Sequence, residues 1–322
     1  MSCAARAPST AAYSHARTRA RPLLGTLVEI AVRGAPAAAL DDAIDRAFAA
    51  VQTVHDRMSY HDPISDVSRL NRAGADCVAV HPHTWAVLAL AREVAEASGG
   101  GFDVSVAPEL VRHGYLPRHA GFAQPAPEAN WRHIELLPGD RVRLARPLHL
   151  DLGGIAKGYA VDCAIRALQA AGVAAGRVNA GGDLRLFGGV EEAIHVRHPH
   201  AATRLLPLCQ LGEGAVATSA TYYAARRVRG RTVSPLIDAA TRQPCAGGRS
   251  VSVLAGRCAV ADALTKVVYA DPAGALAALR HFGAHALVLD ADPGAPGHCR
   301  ARASGPDGWR DLRLPDPEAA AA

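Results

Sequence analysis

Between residues 23 and 32 apolar and polar positions alternate, with Val28, Ile30 and Val32 on one face and Glu29 on the other. A period of two predicts a half-buried strand, opened by Gly25-Thr26. The period changes over residues 40–58, where Leu40, Ile44, Phe48, Val51, Val54 and Met58 recur at helical spacing behind Asp41, Asp42 and Asp45. A second amphipathic helix is expected over 82–98, stopped by Gly99-Gly100-Gly101. Residues 65–71 suit a short helix with Ser65 as N-cap and Asn71 as terminator. Residues 114–130 carry no period and predict a loop. From 141 to 150 the alternation is loose and ends in a turn, after which Ala160, Ala164, Leu168 and Ala171 restore helical spacing. Residues 177–184 read as a strand broken by Gly181-Gly182, a mark of close backbone approach. Short strands are expected at 193–197, 215–219, 250–254 and 285–289, with helices at 259–269 and 273–282. Residues 1–20 are rich in Ala and Arg and are expected to be a disordered leader. The chain after Asp290 is rich in Pro, Gly and charge and is expected to fray.

The most chemically loaded stretch is Asp151-Leu152-Gly153-Gly154-Ile155-Ala156-Lys157-Gly158-Tyr159-Ala160-Val161-Asp162. Its glycines fall where a strand-like run turns into a helix, so backbone N–H groups and the positive helix end converge there and could hold phosphate oxygens. The plainer alternative is a turn in which Lys157 is solvated. Composition sharpens the choice, because Lys157 and Lys266 are the only lysines among 35 basic residues. Positions that keep a compact ammonium in an arginine-rich chain are candidates for specific chemistry.

At 322 residues and 49% apolar content, the chain has ample material for a core. A net charge of +5 without a basic block predicts no nucleic-acid surface and fits an anionic small molecule better. No apolar run long enough for a membrane span is present, so no membrane insertion is expected. Seven scattered cysteines without a C-x-x-C pair predict free thiols in a reducing compartment, hence a cytoplasmic protein.

The stretch from Asp151 to Asp162 resembles the central motif of the FAD:protein FMN transferases, the ApbE family, formerly called thiamine biosynthesis lipoproteins. Five further segments resemble that family in its order: Leu24-Gly25-Thr26; Met58-Ser59 with Ser65-Asp66-Val67-Ser68-Arg69-Leu70-Asn71; Gly101-Phe102-Asp103; Asn179-Ala180-Gly181-Gly182-Asp183; and Asp262-Ala263-Leu264-Thr265-Lys266. The resemblance covers about residues 21 to 290, taken as one domain between the leader and a tail of 291–322. It implies an α+β fold: a single ApbE-like domain related to the T-fold, with mixed or antiparallel sheets and packed helices. The implied activity cuts FAD at the diphosphate, releases AMP and attaches FMN through a phosphoester to a Thr or Ser of an acceptor protein, a flavinylation. A divergent relative that binds or hydrolyses FAD without an acceptor is the alternative.

Residue by residue, the resemblance implies FAD contacts at Leu24, Tyr60 or His61, Gly101, Phe102, Asp103, Asp151, Lys157 and Ile237. It implies magnesium ligands at the Gly154 carbonyl and Asp262, with Thr265 one position before the usual threonine. Catalytic roles fall on Asp262, Lys157 and Lys266. The sequence departs from the family pattern at Pro235, which stands at a histidine, at Arg242, which stands at a glycine, and at Lys266, which stands at the metal-binding threonine. Two arrangements follow for Lys266: a retained, weaker magnesium site with the lysine turned to a phosphate, which the sequence favours slightly, or an ammonium paired with Asp262 that replaces part of the metal.

Overall fold

The computed structural model describes residues 15–34, 36–199, 201, 203–221, 225–228, 231–292 and 298–312. It opens with β1 (Ala16–Leu23), β2 (Thr26–Arg33), α1 (Ala37–Met58), α2 (Asp66–Ala73), β3 (Cys77–Ala79), α3 (Pro82–Ala97) and α4 (Ala107–Arg112). Strands β4 (Ile134–Leu137) and β5 (Arg141–Leu144) complete a small sheet with β3 and lead to α5 (Ala156–Ala170). The hairpins β6 (Ala175–Ala180) with β7 (Asp183–Phe187), and β8 (Glu192–Arg197) with β9 (Leu205–Leu211), precede β10 (Gly214–Ala220). Two short ladders follow, β11 (Arg226–Val228) with β12 (Arg231–Val233) and β13 (Ile237–Asp238) with β14 (Gln243–Pro244). The described chain closes with β15 (Arg249–Ala255), α6 (Cys258–Ala270), α7 (Leu276–His281), β16 (His285–Ala291), β17 (Cys299–Gly305) and β18 (Gly308–Leu312).

Nine strands form the main sheet in the order β1-β2-β6-β7-β10-β15-β16-β17-β18, and every pairing in it is antiparallel. The expected α+β class holds, and the sheets are antiparallel rather than mixed among the described residues. One face carries α1, α5 and α6, whose Phe48, Ile44, Ile165 and Leu264 join Val178 and Val251 in the core. The other face is covered by the β8–β9 hairpin, with Val196 and Leu206 on Leu287 and Leu289.

The expected limits of the domain need correction at both ends. Residues 16–20 belong to β1, because Arg17, Arg19 and Arg21 alternate along the strand and reach α1, with Arg19 and Arg21 at 3.0 and 2.7 Å from Asp45. The strand expected over 23–32 is therefore the second arm of a hairpin. Its turn holds Leu24 and Gly25 at φ of 56° and 70°. At the other end β17 and β18 pair around Pro306-Asp307 and extend the sheet where fraying was expected. The last helix starts at Leu276 rather than 273. Residues 1–14 and 313–322, expected to be leader and tail, lie outside the described residues.

Two carboxylates fix how α5 meets α6. Neither helix has a side-chain cap of its own. Asp162, in α5, accepts hydrogen bonds from the Cys258 and Ala259 N–H groups at 3.0 Å each, so it caps the start of α6 from outside. Asp262, in α6, accepts the Gly158 N–H at 3.1 Å and does the same for α5. Each negative group therefore sits at the positive end of the other helix. Asp162 also takes Arg185 at 2.5 Å. Asp162→Ala, which leaves two α6 donors and Arg185 unpaired, is expected to cost about 2 kcal/mol or more in a denaturant titration.

Candidate functional site

A cleft of about 520 Å³ opens where the β1–β2 turn, the end of α1, the start of α5 and the β13 segment meet. That volume lies within the usual range for small-molecule sites. It is lined by eleven of the residues singled out in the sequence: Leu24, Tyr60, His61, Gly101, Phe102, Asp103, Asp151, Gly154, Lys157, Ile237 and Lys266. Asp262 and Thr265 are fully buried behind it.

Local structure explains how distant segments reach one cleft. Ser65 accepts the Ser68 N–H and caps α2, as expected. Asn71 does not end that helix, which runs to Ala73; its amide instead bonds both the N–H and the carbonyl of Leu150, at 2.7 and 3.0 Å. The Asp151 N–H then donates to the Val104 carbonyl at 2.8 Å. Asp151 is thereby tied to the α2 and Phe102-Asp103 segments at once. On the far side, the β6–β7 turn presses Gly181 against Thr26, so that an added Cβ would fall 2.4 Å from the Thr26 hydroxyl oxygen. This close approach brings Asp183 to the site.

The aromatic choice left open by the sequence has a structural distinction. Tyr60 is 3% exposed and packs edge-on against Phe122 at 5.6 Å, while His61 is exposed at the cleft. Burial and the nearby Asp151 push the Tyr60 phenol up to about 12. The Asp151 carboxyl is also raised, by burial, against the opposing pull of the Gly153 N–H, His61 and Lys157.

Charge is concentrated at the start of α5. The Lys157 ammonium lies 2.5 Å from Asp183 and 3.3 Å from Asp262, so it points to carboxylates and not outward as a solvated turn lysine. Lys266 pairs with the Asp262 carboxylate and donates to its backbone carbonyl at 2.9 Å. Burial alone would lower the Lys157 pKa, and the two carboxylates override it and raise it. Asp262, which burial would raise, is held below its usual value by Lys157 and Lys266. Asp183 is pushed up to about 6 by burial and by Asp262, with Lys157 opposing.

This arrangement overturns two expectations. Thr265 does not reach the carboxylate edge; its hydroxyl donates to the Asp262 carbonyl at 2.6 Å and bonds Ser219 at 2.7 Å. The ammonium of Lys266, and not a vacant coordination position, faces Asp262. The donor set does not fit a resident magnesium ion. Both Asp262 oxygens are taken by ammonium or N–H groups, and the described residues contain no cluster of three His, Cys, Asp or Glu able to hold a metal. A hard cation seated at about 2 Å from an oxygen would have to displace an ammonium first.

Sequence reasoning missed Asp183, Asp162 and the latch formed by Arg242. Asp183 was visible only as the end of a glycine-pair strand. Arg242 holds φ of 57°, at the position where the resemblance implied a glycine, and its guanidinium meets Glu109 at 2.9 Å, Asp103 at 3.4 Å and the Ser105 carbonyl at 2.8 Å. The segment carrying Ile237 is pinned in this way to α4. Pro235 lines the cleft without any proton-transfer group.

The family model described as the ApbE family matches residues 24–288. An FAD:protein FMN transferase of Vibrio cholerae serotype O1 is 31% identical over 262 residues, spanning 76% of this chain and 78% of that protein. The crystal structure of an ApbE protein from Thermotoga maritima superposes with a TM-score of 0.74 at 26% identity, over 86% of this chain and 94% of that one. A flavin transferase ApbE from Vibrio cholerae gives a TM-score of 0.70 at 25% identity, over 92% and 96%.

Proposed function

The chain belongs to the ApbE family, and from that premise we propose that it is an FAD:protein FMN transferase. The observation that carries the reading is the cleft itself, apolar around Phe102 and Leu116, with two ammonium groups at its other wall. The isoalloxazine ring would lie against Phe102 and Leu116, with the exposed His61 ring free to cover it. The diphosphate would meet Lys157 and Lys266, whose charge opposes that of its oxygens. The acceptor is a protein that presents a Thr or Ser hydroxyl at the cleft mouth. Magnesium is left out of the proposal, because the residues around Asp262 do not fit it.

Pro235 favours a second reading, in which FAD is hydrolysed to FMN and AMP without a protein acceptor, since no histidine stands there to take a hydroxyl proton. Incubation with FAD, with and without a Thr-containing acceptor domain, separates the two. AMP released only with acceptor, and FMN bound covalently to it, is the expected result. AMP without acceptor favours the hydrolase, and the absence of FAD binding by calorimetry would sink both.

A cytoplasmic location is part of the proposal, supported by the free thiols at Cys77, Cys163, Cys209, Cys245, Cys258 and Cys299. None of the described helices is long and apolar enough to cross a membrane. Fractionation of the native cells should place the protein with cytoplasmic markers, and a periplasmic pool would overturn this part.

A further inference from the structure

We propose that the ammonium of Lys266, braced by Lys157, takes the place of a metal ion in this site, so that FAD cleavage proceeds without a divalent cation. The inference rests on the transferase reading above.

The charges at the start of α5 are layered. Asp262 and Asp183 are 0% and 3% exposed, whereas the Lys266 and Lys157 side chains keep 19% and 30% of their surface on the cleft side. The negative groups are thus sunk behind the positive ones, and a ligand in the cleft meets ammonium first. Lys266 has three N–H donors. Two of them serve the Asp262 carboxylate and carbonyl, which leaves one for an oxygen in the cleft. Asp262 in turn is held by the Gly158 N–H, so the lysine is anchored to both helices rather than swinging on its stem.

Composition supports the same conclusion independently. The chain uses arginine almost everywhere, yet its only two lysines both contact one carboxylate, 105 and 4 residues away in sequence. A compact ammonium can turn separate N–H donors to the carboxylate and the carbonyl of Asp262 at once, where a guanidinium presents a fixed planar fork.

In the transfer step the acceptor hydroxyl oxygen bonds to the FMN-side phosphorus, and the phosphorus–oxygen bond to the AMP-side phosphate breaks. AMP leaves with the electron pair, and the hydroxyl proton passes to water at the cleft mouth. Negative charge builds on the bridging oxygen as it leaves. The free N–H of Lys266 would donate to it there, in a site already walled off by Phe102.

The test uses the full-length protein, Lys266→Thr and Lys266→Met, each checked for an unchanged circular dichroism spectrum. With a Thr-containing acceptor domain present throughout, the parent should release AMP from FAD at the same rate in EDTA as in magnesium, and should show no binding of Mn²⁺ by electron paramagnetic resonance. Lys266→Thr removes the ammonium and restores a hydroxyl one turn from Asp262; it should lose about 100-fold or more in EDTA, recover with magnesium and gain Mn²⁺ binding. Lys266→Met should lose the same activity without recovery. A parent that stops in EDTA, or that binds Mn²⁺, overturns the proposal, as does a Lys266→Thr protein with no gain in Mn²⁺ binding. If no variant turns over FAD, the transferase reading has failed, and the Mn²⁺ titrations still decide the question of the metal.

Discussion

Lys157→Met is expected to lower the stability of the protein at neutral pH by about 3 kcal/mol, at the low end for breaking a buried ion pair because the lysine is partly exposed. The reason lies behind the cleft rather than in it. Asp183 and Asp262 are 3% and 0% exposed, and Lys157 is the cation they share, at 2.5 and 3.3 Å. Lys266 would still serve Asp262 after the substitution, but Asp183 would keep no ammonium within hydrogen-bond reach. Its carboxyl, already raised to about 6 by burial and by Asp262, would rise further. A carboxyl whose folded pKa lies above its unfolded value binds more protons in the folded state, so the variant loses stability as pH rises through that region. The deficit should therefore be largest at pH 8 and fade as pH falls towards about 6, below which the parent's own Asp183 is protonated as well. Adding Asp183→Asn, which needs no cation, should restore most of the loss. Urea titrations of the single and double variants at pH 8 and pH 5 check both points, and equal deficits at the two pH values would remove the carboxylates from the explanation.

Much of the scaffold was legible because burial leaves a period in the sequence. Val28, Ile30 and Val32 of β2 are 0, 0 and 1% exposed, and the apolar stripe of α1 is buried throughout. The α5 motif was legible as a turn and a helix start. What its lysine touches was not. Asp183 and Asp262 stand 26 and 105 residues away, and only the crossing of α5, β7 and α6 brings them to Lys157. A phosphate was the natural partner for a lysine at a helix N-terminus, yet Asp262 already occupies that helix end. The errors at the two ends have a different cause. Arg17 and Arg19 fall in the Ala- and Arg-rich stretch expected to be a leader, but with Arg21 their spacing of two is itself a strand signal, one face of β1 reaching Asp41 and Asp45 of α1. The hairpin turn at Pro306-Asp307, between the paired Gly305 and Gly308, was obscured by the Pro, Gly and charge around it.

Gly158→Ala is expected to cost about 3 kcal/mol or more, although the same change inside a helix commonly stabilises by 0.5–1 kcal/mol, roughly the glycine penalty. The difference is set by what the new methyl would meet. A Cβ at Gly158 would fall 2.3 Å from the Cys258 carbonyl oxygen, 2.6 Å from its carbon and 2.8 Å from the Ala259 nitrogen. All three are backbone atoms, so no side chain can rotate aside and the two helices must move apart. That separation draws on the bonds that join them. The Gly158 N–H would leave Asp262, and Asp162 would leave the Cys258 and Ala259 N–H groups it holds at 3.0 Å. The lysine pair would shift with Asp262, so FAD affinity measured by calorimetry should fall together with the unfolding midpoint. Gly154→Ala supplies the contrast within the same motif. Its Cβ would meet only the Phe102 and Lys266 side chains, at 3.5 and 3.6 Å, which is ordinary contact, and its unfolding midpoint should stay at that of the parent. If Gly158→Ala unfolds at the parent's midpoint, the close approach of α5 to α6 is not what sets the geometry of the two lysines.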